Sequence, residues 1–149
     1  MRPGASAIEL VGVWDLARLE LVATDGSVLQ PLGDAPAGRL IYTADGHVSA
    51  TITRRGRAPY AAGDPLAGTA EEMAAAARTW TSYVGTWAVE GNAVVHRIEL
   101  SFFPNWEGEE QRRTWSIQGG FLVLSAPPMV VAGAPRILCA TWRRAPPPD

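Results

Sequence analysis

The sequence contains no lysine; all thirteen of its basic residues are arginine. That excludes Schiff-base chemistry on a lysine side chain and the lysine of a phosphate-binding P-loop. Only one cysteine is present, Cys139, so no intramolecular disulfide can form. With that cysteine and two histidines, His47 and His96, the chain has too few soft ligands for a structural zinc site. No run of about 18 apolar residues is available to cross a bilayer as a helix. The net charge of −2 supplies neither a basic footprint for nucleic acid nor a polybasic membrane anchor. A Gly-x-Ser-x-Gly nucleophile elbow and a Gly-x-Gly-x-x-Gly dinucleotide loop are both missing. Met1 to Val11 carries no apolar stretch or cleavage pattern of a secretory leader, and the expected compartment is therefore the cytoplasm.

What is present is a balance of 47% hydrophobic and 19% charged residues over 149 positions, which suits one folded domain across residues 1–149. Its ordered core is expected over about 10–144, with the proline-rich 145–149 as a flexible tail. Asp25-Gly26, Asp45-Gly46, Gly91-Asn92 and Gly119-Gly120 each stand between β-prone runs and supply the positive φ that tight hairpins need. The runs are Val13–Ala23, Arg39–Thr43, His47–Thr53, Thr86–Glu90, Ala93–Ser101, Gln111–Ile117, Phe121–Ser125 and Arg136–Arg143, with Val28–Leu32 as a short edge. Eight or nine short strands in successive hairpins predict an all-β antiparallel up-and-down β-barrel, because closure removes exposed edges.

One helix interrupts the pattern. Thr69 with Glu72 forms a capping box, and Met73, Ala76, Ala77, Trp80 and Val84 follow at helical spacing up to Gly85. This amphipathic helix between the middle strands either covers one mouth of the barrel or packs outside the sheet. The preceding Arg54–Leu66 reads as a loop rich in glycine, proline and arginine.

Gly12-Val13-Trp14 resembles the Gly-x-Trp signature of lipocalins, in which the tryptophan plugs the closed end and an arginine of the last strand lies over it; Arg143 or Arg144 is placed for that role. Beyond this motif, the chain from about Leu10 to Arg143 resembles the bacterial and fungal lipocalin-like domain family. The stretches that carry the resemblance are Leu10-Val-Gly-Val-Trp14, Gly38-Arg-Leu-Ile-Tyr-Thr-Ala-Asp-Gly46, Leu66-Ala-Gly-Thr-Ala-Glu-Glu72, Phe103-Pro-Asn-Trp106 and Glu110-Gln-Arg-Arg113. The resemblance implies a small barrel with a helix between its middle strands and a setting in natural-product biosynthesis. It implies no shared catalytic constellation. Secreted lipocalins differ in having disulfides, a leader and a helix near the C-terminus.

Strand alternation sorts the candidate site residues. Val94, His96, Ile98 and Leu100 share a face expected inward, opposite Val95, Arg97, Glu99 and Ser101. Gln111, Arg113, Trp115 and Ile117 share another inward face. Tyr42 lies on the face of Leu40, and Trp87 on that of Val89. The cavity is thus expected to be apolar and aromatic with His96, Arg113, Gln111 and Tyr42 as polar points, the makeup of a small-molecule pocket. His96 and Tyr42 then serve proton transfer and Arg113 holds an oxygen; alternatively His96 is a hydrogen-bonded core histidine and Arg113 half of a structural ion pair. Trp80 and the elbow of Phe102, Phe103, Pro104, Asn105 and Trp106 complete the substrate-binding set, unless the elbow is only a corner packed on the helix. His47 is expected at an exposed rim.

Two functions of different class follow. In one, the barrel is a cofactor-independent cyclase, isomerase or dehydratase acting on an apolar, polyketide-like intermediate. In the other, it is a non-catalytic carrier for such a molecule. No metal and no cofactor are expected, a haem on His96 being conceivable only. The partner is a small apolar or amphipathic ligand, without nucleic acid or membrane, and a homodimer stays open.

Overall fold

The computed structural model describes residues 7–149; the first six residues of the Met1–Val11 stretch discussed above lie outside it. Ten strands follow one another: β1 Gly12–Ala23, β2 Val28–Leu29, β3 Pro36–Tyr42, β4 His47–Arg54, β5 Trp80–Glu90, β6 Ala93–Ser101, β7 Glu110–Gln118, β8 Phe121–Ser125, β9 Met129–Val131 and β10 Ala134–Arg144. The helix α1, Ala70–Arg78, lies between β4 and β5. All pairings are antiparallel, and β1 pairs with β10, so β1, β3, β4, β5, β6, β7, β8 and β10 close an eight-stranded barrel. The short β2 and β9 extend the β1–β10 seam at one end. Val28–Leu32 contributes only its first two residues as strand, and β9 was not legible as a strand.

Two bulges set which side chains point inward. In β1 the register against β10 shifts between Leu16 and Arg18. Inward residues accordingly change phase from Trp14 and Leu16 to Leu19 and Leu21, all buried. In the β5–β6 pair the shift falls between Val84 and Gly85, opposite Leu100 and Ile98. Val94, His96 and Ile98 are buried as alternation predicts, but past the bulge Leu100 is 65% exposed rather than inward. Gly85 sits where the strands touch: a Cβ there would lie 1.9 Å from the Arg97 carbonyl oxygen. It is a close-approach glycine within a strand, not the helix terminator expected.

The helix is correspondingly shorter than its apolar spacing suggested. Thr69 does cap it, accepting from the Glu72 N–H while the Glu72 carboxylate accepts from the Thr69 N–H. It ends at Arg78, and Trp80–Val84 belong to β5. Met73 is 42% exposed, so the apolar stripe does not face the barrel. The contacts of α1 run to its own lead-in loop, through Arg57 to the Ala76 carbonyl and the Ala61 N–H to Glu72.

Two features away from the cavity stabilise the barrel. At the closed end Trp14 is buried and donates to the Leu10 carbonyl at 2.9 Å. Arg144 lies over its ring, with the guanidinium carbon 3.9 Å from the centroid, and donates to the Val11 and Glu9 carbonyls at 2.7 and 2.6 Å. Gly12, at φ +130°, leaves the space the guanidinium occupies, since a Cβ would meet its nitrogen at 2.6 Å. On the outer face of β6, Val95 is fully buried although alternation put it outward. The same region carries an ion network of Arg97 on β6 and Arg112 on β7 with Glu90 on β5 and Glu110 on β7, whose contacts run from 2.5 to 3.4 Å.

Candidate functional site

The loops at one end of the barrel are long (β1 to β2 and β3, β4 to β5, β6 to β7), whereas the other end is closed by tight turns and Trp14. The cavity occupies the half nearer the long loops. Its walls are Leu40, Ile52, Leu124, Leu138, Ala140 and Trp142, with Trp106 from the 3₁₀ turn Pro104–Trp106 at its mouth. Space for the centres of water-sized molecules amounts to about 80 Å³. That is several times the volume one water occupies, roughly 10–15 Å³, so the cavity has room for a small molecule.

The polar groups converge from four strands, three of them adjacent (β5, β6 and β7) and the fourth, β3, separated from β5 by β4. Tyr42 comes from β3, Tyr83 from β5, His96 from β6, and Gln111 and Arg113 from β7. His96 is buried, and each ring nitrogen is occupied: Nε2 lies 2.7 Å from the Tyr42 hydroxyl and Nδ1 2.5 Å from that of Tyr83. Burial disfavours the imidazolium, and the Arg113 charge adds to this, so His96 is lowered to about 3. Burial likewise raises Tyr83 to about 12 and pushes Tyr42 well above the ordinary phenol range.

Arg113 differs from the other arginines of its strand pair. Arg97 and Arg112 are neutralised by Glu90 and Glu110, whereas Arg113 donates only to the Gln111 side-chain oxygen and, at 3.3 Å, to the Arg112 carbonyl. Among the described residues no carboxylate pairs with it or lines the cavity. Trp142 is 2% exposed, lines the same space, and has its indole N–H buried with no acceptor among the described residues.

The aromatic residues form a continuous column from mouth to floor. Phe103 stands edge-on to Trp106 at 5.3 Å, Trp106 edge-on to Tyr83 at 6.3 Å, and Tyr83, His96, Tyr42 and Trp87 follow at 5.7, 5.5 and 4.8 Å. Of the residues predicted from sequence, His96, Arg113, Gln111 and Trp106 line the cavity, and Tyr42 stands behind His96. Trp87 and Trp115 pack against the core below it. Phe103 is 44% exposed and reaches the site only through Trp106. Trp80 stands with Ser82 on the other side of β5, its ring 5.1 Å from the Arg57 guanidinium and its N–H on the Ser82 hydroxyl. Ile117, expected inward, is 36% exposed near the closed end. His47 is exposed and pairs with Asp45 at 3.2 Å.

Three polar residues of the cavity wall are absent from the sequence-based set: Thr81, Tyr83 and Trp142, the first two because the helical spacing of Trp80 and Val84 masks the strand they belong to. The signal was present: Thr81, Tyr83, Gly85, Trp87 and Val89 alternate at a period of two, as a strand requires.

Among known proteins, the chain is similar to the 4'-hydroxy-3'-methoxypropiophenone carrier protein ppsC of Aspergillus oryzae. The two are 35% identical over 108 residues, covering 66% of this chain and 97% of the relative. The solved structure of a mutant of the fluorescent protein UnaG aligns over 94% of this chain and 99% of that one, at 14% identity and a TM-score of 0.40. Residues 11–145 match the lipocalin-like domain family. That span runs from the Gly12-Val13-Trp14 motif to the arginine laid over the tryptophan, and the chain belongs to the lipocalin-like domain family.

Proposed function

We propose that this protein is a carrier, holding one small aromatic molecule in the barrel cavity and releasing it unchanged. The observation that carries the reading is the state of the polar groups around the cavity. A general acid or base works best with a pKa near the operating pH. His96, lowered to about 3, and Tyr83, raised to about 12, lie far from neutrality and bond to each other. Such groups are better suited to positioning a ligand than to exchanging protons with it at pH 7. The naming of the Aspergillus oryzae relative as a carrier of a phenolic ketone supports the same conclusion. The alternative, a cofactor-independent cyclase or isomerase, is favoured by one feature: Arg113 lacks an acidic partner among the described residues and is suited to hold an enolate oxygen.

Trp106 and Trp142 line the cavity, so binding is readable in tryptophan fluorescence. Titration with 4'-hydroxy-3'-methoxypropiophenone is expected to quench saturably. Ala140→Leu fills the cavity wall and should abolish the quench in a protein that still melts cooperatively. Undiminished binding by a folded Ala140→Leu variant, or no binding by the parent protein, overturns the reading.

A further inference from the structure

The hydrogen-bond chain behind the cavity has a direction. Tyr42 is buried, and its hydroxyl has His96 Nε2 as its partner at 2.7 Å. A buried hydroxyl proton without an acceptor is costly, so Tyr42 donates to Nε2. A neutral imidazole carries one proton, which is then on Nδ1 and is donated to the Tyr83 oxygen at 2.5 Å. Tyr83, having accepted, keeps its own proton free, and unlike Tyr42 it lines the cavity.

Three polar groups are therefore offered to the cavity as donors: the Tyr83 hydroxyl, the Arg113 guanidinium and the indole N–H of Trp142, buried without an acceptor among the described residues. The Gln111 oxygen is already taken by Arg113. Among the described residues no carboxylate lines the space, and apart from the neutral hydroxyl of Thr81 the rest of its wall is apolar or aromatic.

Resting on the carrier reading, we infer that the cavity takes its ligand as an oxyanion, an ionised phenol or enol on a flat ring, with Tyr83, Arg113 and Trp142 donating to the charged oxygen. These three donors, one of them a cation with no carboxylate partner among the described residues, stabilise such an oxygen, and no carboxylate there is placed to hold a cation. Tyr42 is a positioning residue: by donating to Nε2 it holds His96 in the tautomer that leaves the Tyr83 proton for the ligand.

The test uses 4-nitrophenol, whose ionisation is visible in its absorbance, beside its methyl ether, 4-nitroanisole, which cannot ionise. On the intact protein the bound nitrophenol should ionise about one pH unit or more below the free compound, a preference of about tenfold or more for the anion. Arg113→Met and Tyr83→Phe should each cut the ratio of nitrophenolate to nitroanisole affinity, the former by about tenfold or more. In Tyr42→Phe, the nitrogen-15 shifts of His96 should move away from the Nδ1–H tautomer while the ratio falls. Equal binding of nitrophenol and nitroanisole with an unshifted ionisation overturns the oxyanion inference and leaves the carrier reading intact. Binding of neither compound removes both.

Discussion

His96 makes stability depend on pH in a way that can be calculated in advance. In the unfolded chain a histidine titrates near its ordinary value of about 6.5, whereas in the barrel burial lowers it to about 3. The folded-state value is depressed, so the unfolded state binds the proton first. The contribution is fully present above pH 6.5 and is lost as pH falls from there towards 3. Linkage over that window allows a total of about 4–5 kcal/mol, of which about 2 kcal/mol is lost between pH 7 and pH 5. The upper part of the window lies above the ordinary range of carboxylates, and a reference variant lacking only His96 isolates its share from that of every other group. Urea denaturation at pH 7 and pH 5 reads the difference directly, with His96→Leu as the reference. The variant starts less stable, since Tyr42 and Tyr83 lose a partner, but between the two pH values it should lose about 2 kcal/mol less than the parent. If parent and variant fall by the same amount, His96 is not held neutral between the tyrosines and the argument fails.

Two further predictions concern the frame. Trp14→Ala should cost about 3–5 kcal/mol in chemical denaturation, because it empties the closed end and removes the ring under Arg144; a change below about 1 kcal/mol would show that Trp14 is not the plug. Gly85→Ala should cost about 3 kcal/mol or more, because its Cβ collides with the Arg97 carbonyl across the β5–β6 pair; a melting temperature equal to the parent's would contradict the close approach.

The barrel was readable because its determinants are local. Gly26, Gly46, Gly91, Gly119 and Gly120 all adopt positive φ at the turns that their dipeptides announced. Alternation then placed His96 and Arg113 correctly, since no irregularity interrupts β7 or β6 before Ile98. Readability failed where two periodicities coincide or where a bulge resets the phase. Trp80 and Val84 fit the helical stripe begun at Met73, and only the alternating Thr81, Tyr83 and Gly85 argued for a strand. Leu100 lies beyond a bulge that depends on how closely β5 approaches β6 at Gly85. Val95 is buried although alternation puts it on the outer face, where an ion network joins three strands, a tertiary arrangement that no single run encodes. The Tyr42–His96–Tyr83 chain joins residues 54 and 13 positions apart and needed the closed barrel to be seen.

The central claim, that the cavity holds an aromatic molecule without transforming it, is tested most directly by incubating the protein with 4'-hydroxy-3'-methoxypropiophenone. Native mass spectrometry should then record a one-to-one complex, lost in Ala140→Leu, and chromatography of the released ligand should return the starting compound alone. No complex, or a released compound of changed mass or retention, would contradict it.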